Sequence, residues 1–384
     1  MPLRPARRDV QEKLRKRLTA WYHRSKRDLP WRKTRDPYRI LVSEIMLQQT
    51  QVATVISYYR RFIKTFPTAA SLARAPLQKV LKLWEGLGYY RRARNLHRAA
   101  RAIHEQWNDR VPSAVERLSS LPGVGRYTAG AVASIAFDVK APVLDGNVRR
   151  VLCRIFAIRK DPRQAAVQDR LWELAAELLP DRNVGDFNQA LMELGATVCL
   201  PRTPSCPVCP VRESCRARRS GLQDRIPVRT ERRAVPHDKI AVALIQNRRG
   251  LLIGPRPEQG LLPGLWSFPE IEASEAATTR RIEREIEKRF GLKPKLLRPL
   301  DPVAHTFSHK RITYHPFLFN GDAAFEQPPE PWRWIPAEKI KTYPLPTATR
   351  KIFDQIAVNP QIAKRATPLP LAAERATVYR KTPK

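Results

Sequence analysis

Four cysteines, Cys199, Cys206, Cys209 and Cys215, are separated by six, two and five residues. The CPVC turn aims two thiols at one point, and the flanking pair lie close enough in sequence to complete a four-thiolate cage. Four thiolates suit zinc or an iron–sulfur cluster, and chemistry and spacing alone leave the two open. Cys153 stands apart in VRRVLCRIFAI and reads as a buried core thiol. Clustered cysteines suit a reducing compartment and a metal site better than disulfides.

Two carboxylates are candidates for acid–base work. Glu44 lies in DPYRILVSEIMLQQTQV, four residues after Ile40 and three after Leu41, on the apolar stripe of a helix that Asp36 caps and Pro37 opens. A carboxyl there is partly desolvated, so its pKa rises, as a general acid at neutral pH requires. The plainer alternative is a Glu at the edge of the stripe, paired with Arg39. Asp145, in PVLDGNVRRVL, reads by itself as a helix N-cap after an extended run. In LPGVGRYTAGAVASIAF, Gly123 and Gly125 form a tight hairpin before a helix. Such a hairpin and helix N-terminus turn backbone N–H groups outward, as an anion site for a phosphate.

The elements that must hold these residues are mostly helices from about Gln11 to Phe156. Apolar residues recur at helical spacing, with joints at Pro37, Pro67, Pro76, Gly86, Pro112 and Pro122. The cysteine group closes this region near Cys215, and the basic RIPVRTERRAVPHD that follows reads as a linker. From Lys239 the texture changes. KIAVALIQ, GLLIGPR, WSFPE and ITYHPFLF read as strands, interrupted by one charged helix from about Glu275 to Phe290. The expected divisions are a helical region over 1–222, a linker over 223–237, a second domain over 238–355 and a basic, disordered tail over 356–384.

Lys plus Arg number 71 against 36 for Asp plus Glu, a formal charge of +35. A surplus of this size calls for a polyanion, and nucleic acid is the natural one. A membrane surface fits less well, because the basic residues are spread along the chain and not gathered on one amphipathic helix. No stretch is long and apolar enough to span a bilayer. The Arg-rich first twenty residues lack the apolar run of a secretory signal, and Asp9 and Glu12 count against a transit peptide. The expectation is a cytoplasmic protein, nucleoid-associated in a bacterium, acting as a monomer.

The cysteine spacing resembles the cluster loop of the endonuclease III superfamily of DNA repair glycosylases, and LPGVG with its helix resembles that superfamily's helix-hairpin-helix motif. With LPWR, SEIMLQQTQV, LWEGLGYYRRARNLH, VLDGNVRRVL and FNQALMELGATVC added, the chain most resembles the adenine DNA glycosylases, the MutY family, from about Leu29 to about Thr349. The resemblance implies a mainly α helix-hairpin-helix glycosylase region with an iron–sulfur module, followed by an α+β Nudix-like domain. It implies one [4Fe–4S] cluster per chain on the four cysteines. It implies Glu44 as the acid at N7 of adenine, Asp145 stabilising positive charge at the anomeric carbon, and Tyr127 and Asn147 hydrogen-bonding to these groups. Gln49 and Tyr89 match residues that enter the duplex beside the lesion. The hairpin of Gly123 and Gly125 is expected at a DNA phosphate, and the cluster is expected to fix the loop from Leu200 to Ser205, whose Arg202 can meet phosphate. Arg27, Trp31, Leu47 and Gln189 fall on the adenine-pocket positions.

Two departures sharpen the expectation. Lyase-type relatives carry a Schiff-base Lys two residues after the second hairpin glycine, where this chain has Tyr127. A phenol cannot form an imine, which opposes a pyrimidine-lesion glycosylase with lyase activity. The C-terminal region resembles a Nudix domain, but Lys288 and Arg289 follow Arg284–Glu287 where a hydrolase has its metal-binding Glu pair. That opposes a Nudix nucleotide hydrolase. Phe307, Ser308 and His309, in HTFSHKRI, match the family's 8-oxoguanine-sensing hairpin. A non-catalytic zinc-bearing DNA-binding protein is opposed by the presence of both Glu44 and Asp145. The resemblance therefore implies monofunctional removal of adenine from A:8-oxoguanine or A:G mispairs in double-stranded DNA.

Overall fold

The computed structural model describes residues 5–228, 235–272, 279–321 and 327–357. The expected tail lies outside the described residues from 358 onward. The chain divides into two compact units, residues 1–234 with 256–265 and 342–344, and the remainder. Residues 256–265, inside the stretch expected as the second domain, pack with the first unit. Leu265 is fully buried in the helical core, which accounts for its segment. Ile226, expected in the linker, is likewise buried, and Arg154 donates to its carbonyl at 2.8 Å.

The first unit is helical. Its elements are α1 (Pro5–Ser25), α2 (Pro37–Leu47), α3 (Val52–Thr65), α4 (Ala69–Ala73), α5 (Leu77–Trp84) and α6 (Arg91–Trp107). They continue with α7 (Val115–Ser119), α8 (Arg126–Phe137), α9 (Gly146–Ile155), α10 (Ala165–Glu177), α11 (Val184–Thr197) and the short α12 (Arg216–Arg219). Asp36 caps α2 as expected, accepting from Tyr38 N at 2.9 Å and Arg39 N at 3.3 Å. The helix is not half-exposed, however: Tyr38 and the whole run Ile40–Met46 are buried. It packs on α8, which also packs on α11, and α11 packs on α9 and α1. Leu41, Phe62 and Phe187 are fully buried in this core, each contributing about 1.5–3 kcal/mol of transfer free energy. Gly195 allows α11 to approach the start of α9, since a Cβ there would lie 2.6 Å from Asn147 Cβ.

The second unit is a mixed sheet with three helices among its described residues, α13 (Thr279–Phe290), α14 (Ala337–Ile340) and α15 (Thr347–Ala357). Its strands are β1 (His237–Asn247), β2 (Gly250–Pro255), β3 (Trp266–Ser267), β4 (Glu270–Glu272), β5 (Lys295–Pro299), β6 (Val303–Thr306), β7 (Arg311–Asn320) and β8 (Arg333–Ile335). The main path runs β3-β2-β1-β7-β5, with β4 on β1, β6 on β7 and β8 on β2. β1 and β7 are parallel, with Ala241 opposite His315 and Ala243 opposite Phe317. Helix α13 (Thr279–Phe290) lays Ile282, Ile286 and Phe290 on Ala241, Ala243, Ile245 and Phe319. Period four on the helix meets period two on the strand, and that match makes the core. β5, β6 and β8 were not expected from the sequence, because they are three to five residues long and mostly exposed or half-buried. Among the described residues, no helix is long and apolar enough to cross a membrane.

The hairpin before α8 separates its two glycines physically. Gly123 has φ +78°, and a Cβ there would sit 2.6 Å from Asn95 Cβ, whereas Gly125 is extended and open. Gly123→Ala should therefore destabilise the protein by about 1–3 kcal/mol in urea unfolding. Gly125→Ala should leave the unfolding midpoint unchanged, and a matching loss in both variants would refute the distinction.

Candidate active site

A cavity of about 680 Å³ opens in the helical unit, and Glu44, Tyr127, Asp145 and Asn147 all line it. Four elements build it. α2 supplies Glu44, the first turn of α8 supplies Tyr127, the start of α9 supplies Asp145 and Asn147, and α11 supplies Gln189, Met192 and Glu193. Arg27, Trp31, Leu47, Gln189 and Gln49 also line this cavity, so residues from Arg27 through Glu193 meet in one place. Tyr89, Gly123, Gly125 and Arg202 lie elsewhere in the unit.

Glu44 is only 4% exposed. Tyr127 Oη donates to its Oε2 at 2.6 Å and also lies 3.2 Å from Met192 Sδ. Burial pushes the Glu44 carboxyl up to about 7; the Tyr127 hydrogen bond opposes this, the nearby Asp145 charge adds to it, and Arg32 opposes it. Arg39 is not its partner, since its Nε lies 3.5 Å from Asp36. Burial and the adjoining carboxylates hold the Tyr127 phenol well above its ordinary range, so it remains a proton donor.

Asp145 is both a cap and a cavity residue. Its Oδ1 accepts from Val148 N at 2.6 Å, capping α9, and its Oδ2 accepts from Asn147 Nδ2 at 3.1 Å. Burial raises its pKa, while these hydrogen bonds and the charge of Arg150 pull the other way. Arg150 Nη2 donates to Asn147 Oδ1 at 2.8 Å and to Gly195 O at 2.6 Å, and its Nε donates to Cys199 O at 2.7 Å. One guanidinium therefore joins the backbone of the cysteine loop to the Asn147–Asp145 pair.

Glu193 and Arg32 were missed by sequence reasoning. The Glu193 side chain is fully buried and meets Arg27 Nε at 2.8 Å, Arg27 Nη2 at 2.6 Å and Arg32 Nη2 at 2.7 Å. Burial alone would raise this carboxyl, but the two arginines outweigh it and hold it near 2. Arg27 thus faces the cavity with its guanidinium committed to Glu193. A signal existed, for Glu193 follows Gln189 by four residues on one helix.

The cysteines converge as well. All four line a second, smaller cavity together with Arg154, Arg212 and Arg218. Arg154, nearly fully buried, donates through Nη1 to Cys199 Sγ at 3.2 Å and to Leu200 O at 2.6 Å. Among the described residues, no set of three or more His, Cys, Asp or Glu side chains is gathered at single-ion spacing. Cys153 is buried and free, as expected. Arg202 is exposed on the loop that the cysteines flank.

In the sheet unit, Phe307–Lys310 closes the β6–β7 hairpin, with Phe307 N donating to Lys310 O at 2.8 Å and Ser308 and His309 exposed at the tip. The Phe307 ring stands edge-on to His305, with centroids 4.5 Å apart. Arg289, at the end of α13, donates to Glu270 O at 3.1 Å and lies 5.4 Å from the Trp332 ring centroid.

Residues 42–177 match the HhH-GPD superfamily of base excision DNA repair proteins, and residues 241–355 match the NUDIX domain. The chain is 39% identical to the human adenine DNA glycosylase, covering 90% of this chain and 74% of that protein. It is 32% identical to the adenine DNA glycosylase of Buchnera aphidicola subsp. Schizaphis graminum, covering 87% and 96% respectively. The chain belongs to the adenine DNA glycosylase family. It is a hydrolase of N-glycosyl bonds that acts in DNA base-excision repair by removing adenine. The solved structure of a thermostable thymine-DNA glycosylase matches 56% of this chain and 99% of its own, with 32% identity and a TM-score of 0.51. The helical fold of the catalytic region is therefore that of this superfamily.

The electrostatics of the cavity affect stability. The folded protein retains a proton on Glu44 up to about pH 7, whereas the unfolded chain releases it near 4.5. The fold therefore binds more protons across that window, and stability falls as pH rises through it. Asp145, also raised, contributes with the same sign. Glu193 is opposite: its contribution is present above 4.5 and is lost as pH falls toward about 2. Glu44→Gln should be more stable than wild type at pH 8, by up to about 3 kcal/mol, with the gap closing toward pH 4.5. A stability difference that does not vary with pH would contradict the raised carboxyl.

Proposed function

We propose that the chain removes adenine mispaired with 8-oxoguanine or guanine in double-stranded DNA and leaves an abasic site without cutting the strand. The observation that carries this reading is the buried Glu44–Tyr127 pair, a neutral acid with a fixed orientation inside a cavity. A paired adenine is inaccessible, so it must leave the base stack and enter that cavity. With Oε2 accepting from Tyr127, the Glu44 proton resides on the other carboxyl oxygen and is donated to N7 of adenine. Adenine then departs as a better leaving group. Asp145 stabilises the oxocarbenium-like sugar, held in place by Asn147. The logic is that of a retaining glycosidase, with two carboxyls in unequal environments. Water completes the hydrolysis. Tyr127 offers no amine for an imine, which supports monofunctional chemistry.

Arg27, Trp31, Leu47 and Gln189 form the adenine pocket, with Glu193 orienting Arg27. Gln49 and Tyr89 enter the duplex; both are exposed and both hold positive φ, 55° and 47°, a strain that is retained only where the surroundings enforce it. The hairpin of Gly123 and Gly125, with Arg202, meets phosphate. Ser308 and His309, at the tip of an exposed turn, read the 8-oxoguanine, with Phe307 at its base. Lys288 and Arg289 in place of a hydrolytic carboxylate pair support recognition as the role of the Nudix-like domain.

The cysteine cavity fits a [4Fe–4S] cluster, one per chain. Four thiols surround one space, and Arg154 donates to Cys199 Sγ, as suits a sulfur ligand that carries negative charge. When bound, the cluster serves as a structural brace for the loop that carries Arg202. The protein purified without oxygen should be yellow-brown and contain about four iron and four sulfide per chain. One zinc and no iron would replace the cluster with a zinc site.

Single-turnover excision from duplexes carrying adenine opposite 8-oxoguanine or guanine tests the reaction. Glu44→Gln should bind both duplexes and lose on the order of 10²–10⁴ in rate. The wild-type rate should fall as pH rises above about 7, where Glu44 ionises. The combination of Ser308→Ala with His309→Ala should erode the preference for 8-oxoguanine by about 1–3 kcal/mol. Equal weakening on both duplexes would make the domain a phosphate clamp only.

A further inference from the structure

Arg92 takes no part in the chemistry above, yet it is only 8% exposed. Its Nη1 donates to Ile45 O at 3.1 Å, to Met46 O at 2.7 Å and to Gln48 O. Its Nη2 donates to Thr50 Oγ1 at 3.0 Å, Leu87 O at 3.3 Å and Gly88 O at 3.1 Å. Its own backbone N–H donates to Tyr89 O at 2.8 Å, and its guanidinium lies 5.4 Å from the Tyr89 ring centroid. One planar group therefore ties two turns that lie 37 or more residues apart in sequence, Gln48–Thr50 and Leu87–Tyr89. Ile45 and Met46 lie in the last turn of α2, whose carbonyls have no intrahelical donor.

The residues that Arg92 brackets are the informative ones. Gln49 lies between two of its acceptors, and Tyr89 directly follows a third. Both are non-glycine residues with left-handed backbone, and both are exposed. A buried guanidinium costs more than apolar packing would, so joining two turns this way is not the cheapest route to stability. What it provides is two strained turns in fixed register.

We propose that Arg92 is a positioning residue that presets Gln49 and Tyr89 together for entry into the duplex. This rests on the reading of Gln49 and Tyr89 given above. Lys keeps the charge but has one nitrogen, which cannot span both turns as the guanidinium fork does.

The test uses the full chain. In hydrogen–deuterium exchange without DNA, Arg92→Lys should speed exchange at both 48–51 and 87–90 by about tenfold while α8 is unchanged. Uniform acceleration across the helical unit would make Arg92 a general structural residue and overturn the proposal. Affinity for the A:8-oxoguanine duplex at one salt concentration supplies the second readout. Arg92→Lys should weaken binding about tenfold in the wild-type background and less than about threefold in a Gln49→Ala, Tyr89→Ala background. An equal loss in both backgrounds overturns the coupling. If Gln49→Ala with Tyr89→Ala alone leaves affinity unchanged, the entry reading fails, and the exchange data still decide whether Arg92 sets the turns. Should Arg92→Lys not fold, Thr50→Val removes one acceptor, and faster exchange at 87–90 is again expected. No change there overturns the proposal.

Discussion

The hydrogen bond from Tyr127 to Glu44 joins two buried helices around a carboxyl that desolvation keeps near neutrality. Much of the helical unit serves to keep water away from that pair. α2 is buried on nearly every side, and α8 is built of small residues that let α2 and α11 close on it. An exposed carboxyl would titrate near its ordinary value and be ionised at pH 7. Burial moves that value, and the phenol fixes which oxygen is free.

Arginine is the means by which the surrounding backbone is satisfied. Arg92, Arg150 and Arg154 are each bound to two or more main-chain carbonyls from other segments. Arg27 and Arg32 share Glu193. A planar donor group with five N–H bonds suits loops and helix ends that no ladder satisfies. Part of the large positive surplus is therefore internal scaffolding, and only the remainder is available to an external polyanion. Arg150 and Arg154 also make the cysteine loop mechanically continuous with α9, whose first residues carry the Asn147–Asp145 pair.

The sheet unit follows a different logic. Its core is a simple match of alternating strand residues with one helical face, and nothing in that match requires a carboxylate pair. Arg289 rests on Trp332 and on a main-chain carbonyl, a surface role that a metal-binding carboxylate would not fill. The outward feature is the tight β6–β7 turn, where Ser308 and His309 project from a hairpin held in register by β7, the longest partner of β1.

The sequence by itself determined which residue types were present and their local setting. The cysteine spacing, the Asp36 cap, the Gly123 turn, the two-part texture and the apolar flank of Glu44 are all short-range patterns, within reach of helical or turn periodicity. Motif resemblance carried the family, which the relatives bear out. Tertiary structure decided what periodicity cannot encode. It buried α2 on nearly every side, brought Tyr127 Oη to 2.6 Å from the Glu44 carboxyl, and packed 256–265 with the first unit. It also paired Glu193 with Arg27 and Arg32, some 160 residues apart. The physical reason is desolvation. A carboxyl's pKa, a guanidinium's choice of acceptor and a glycine's necessity depend on which atoms exclude water around it, and those atoms come from distant parts of the chain.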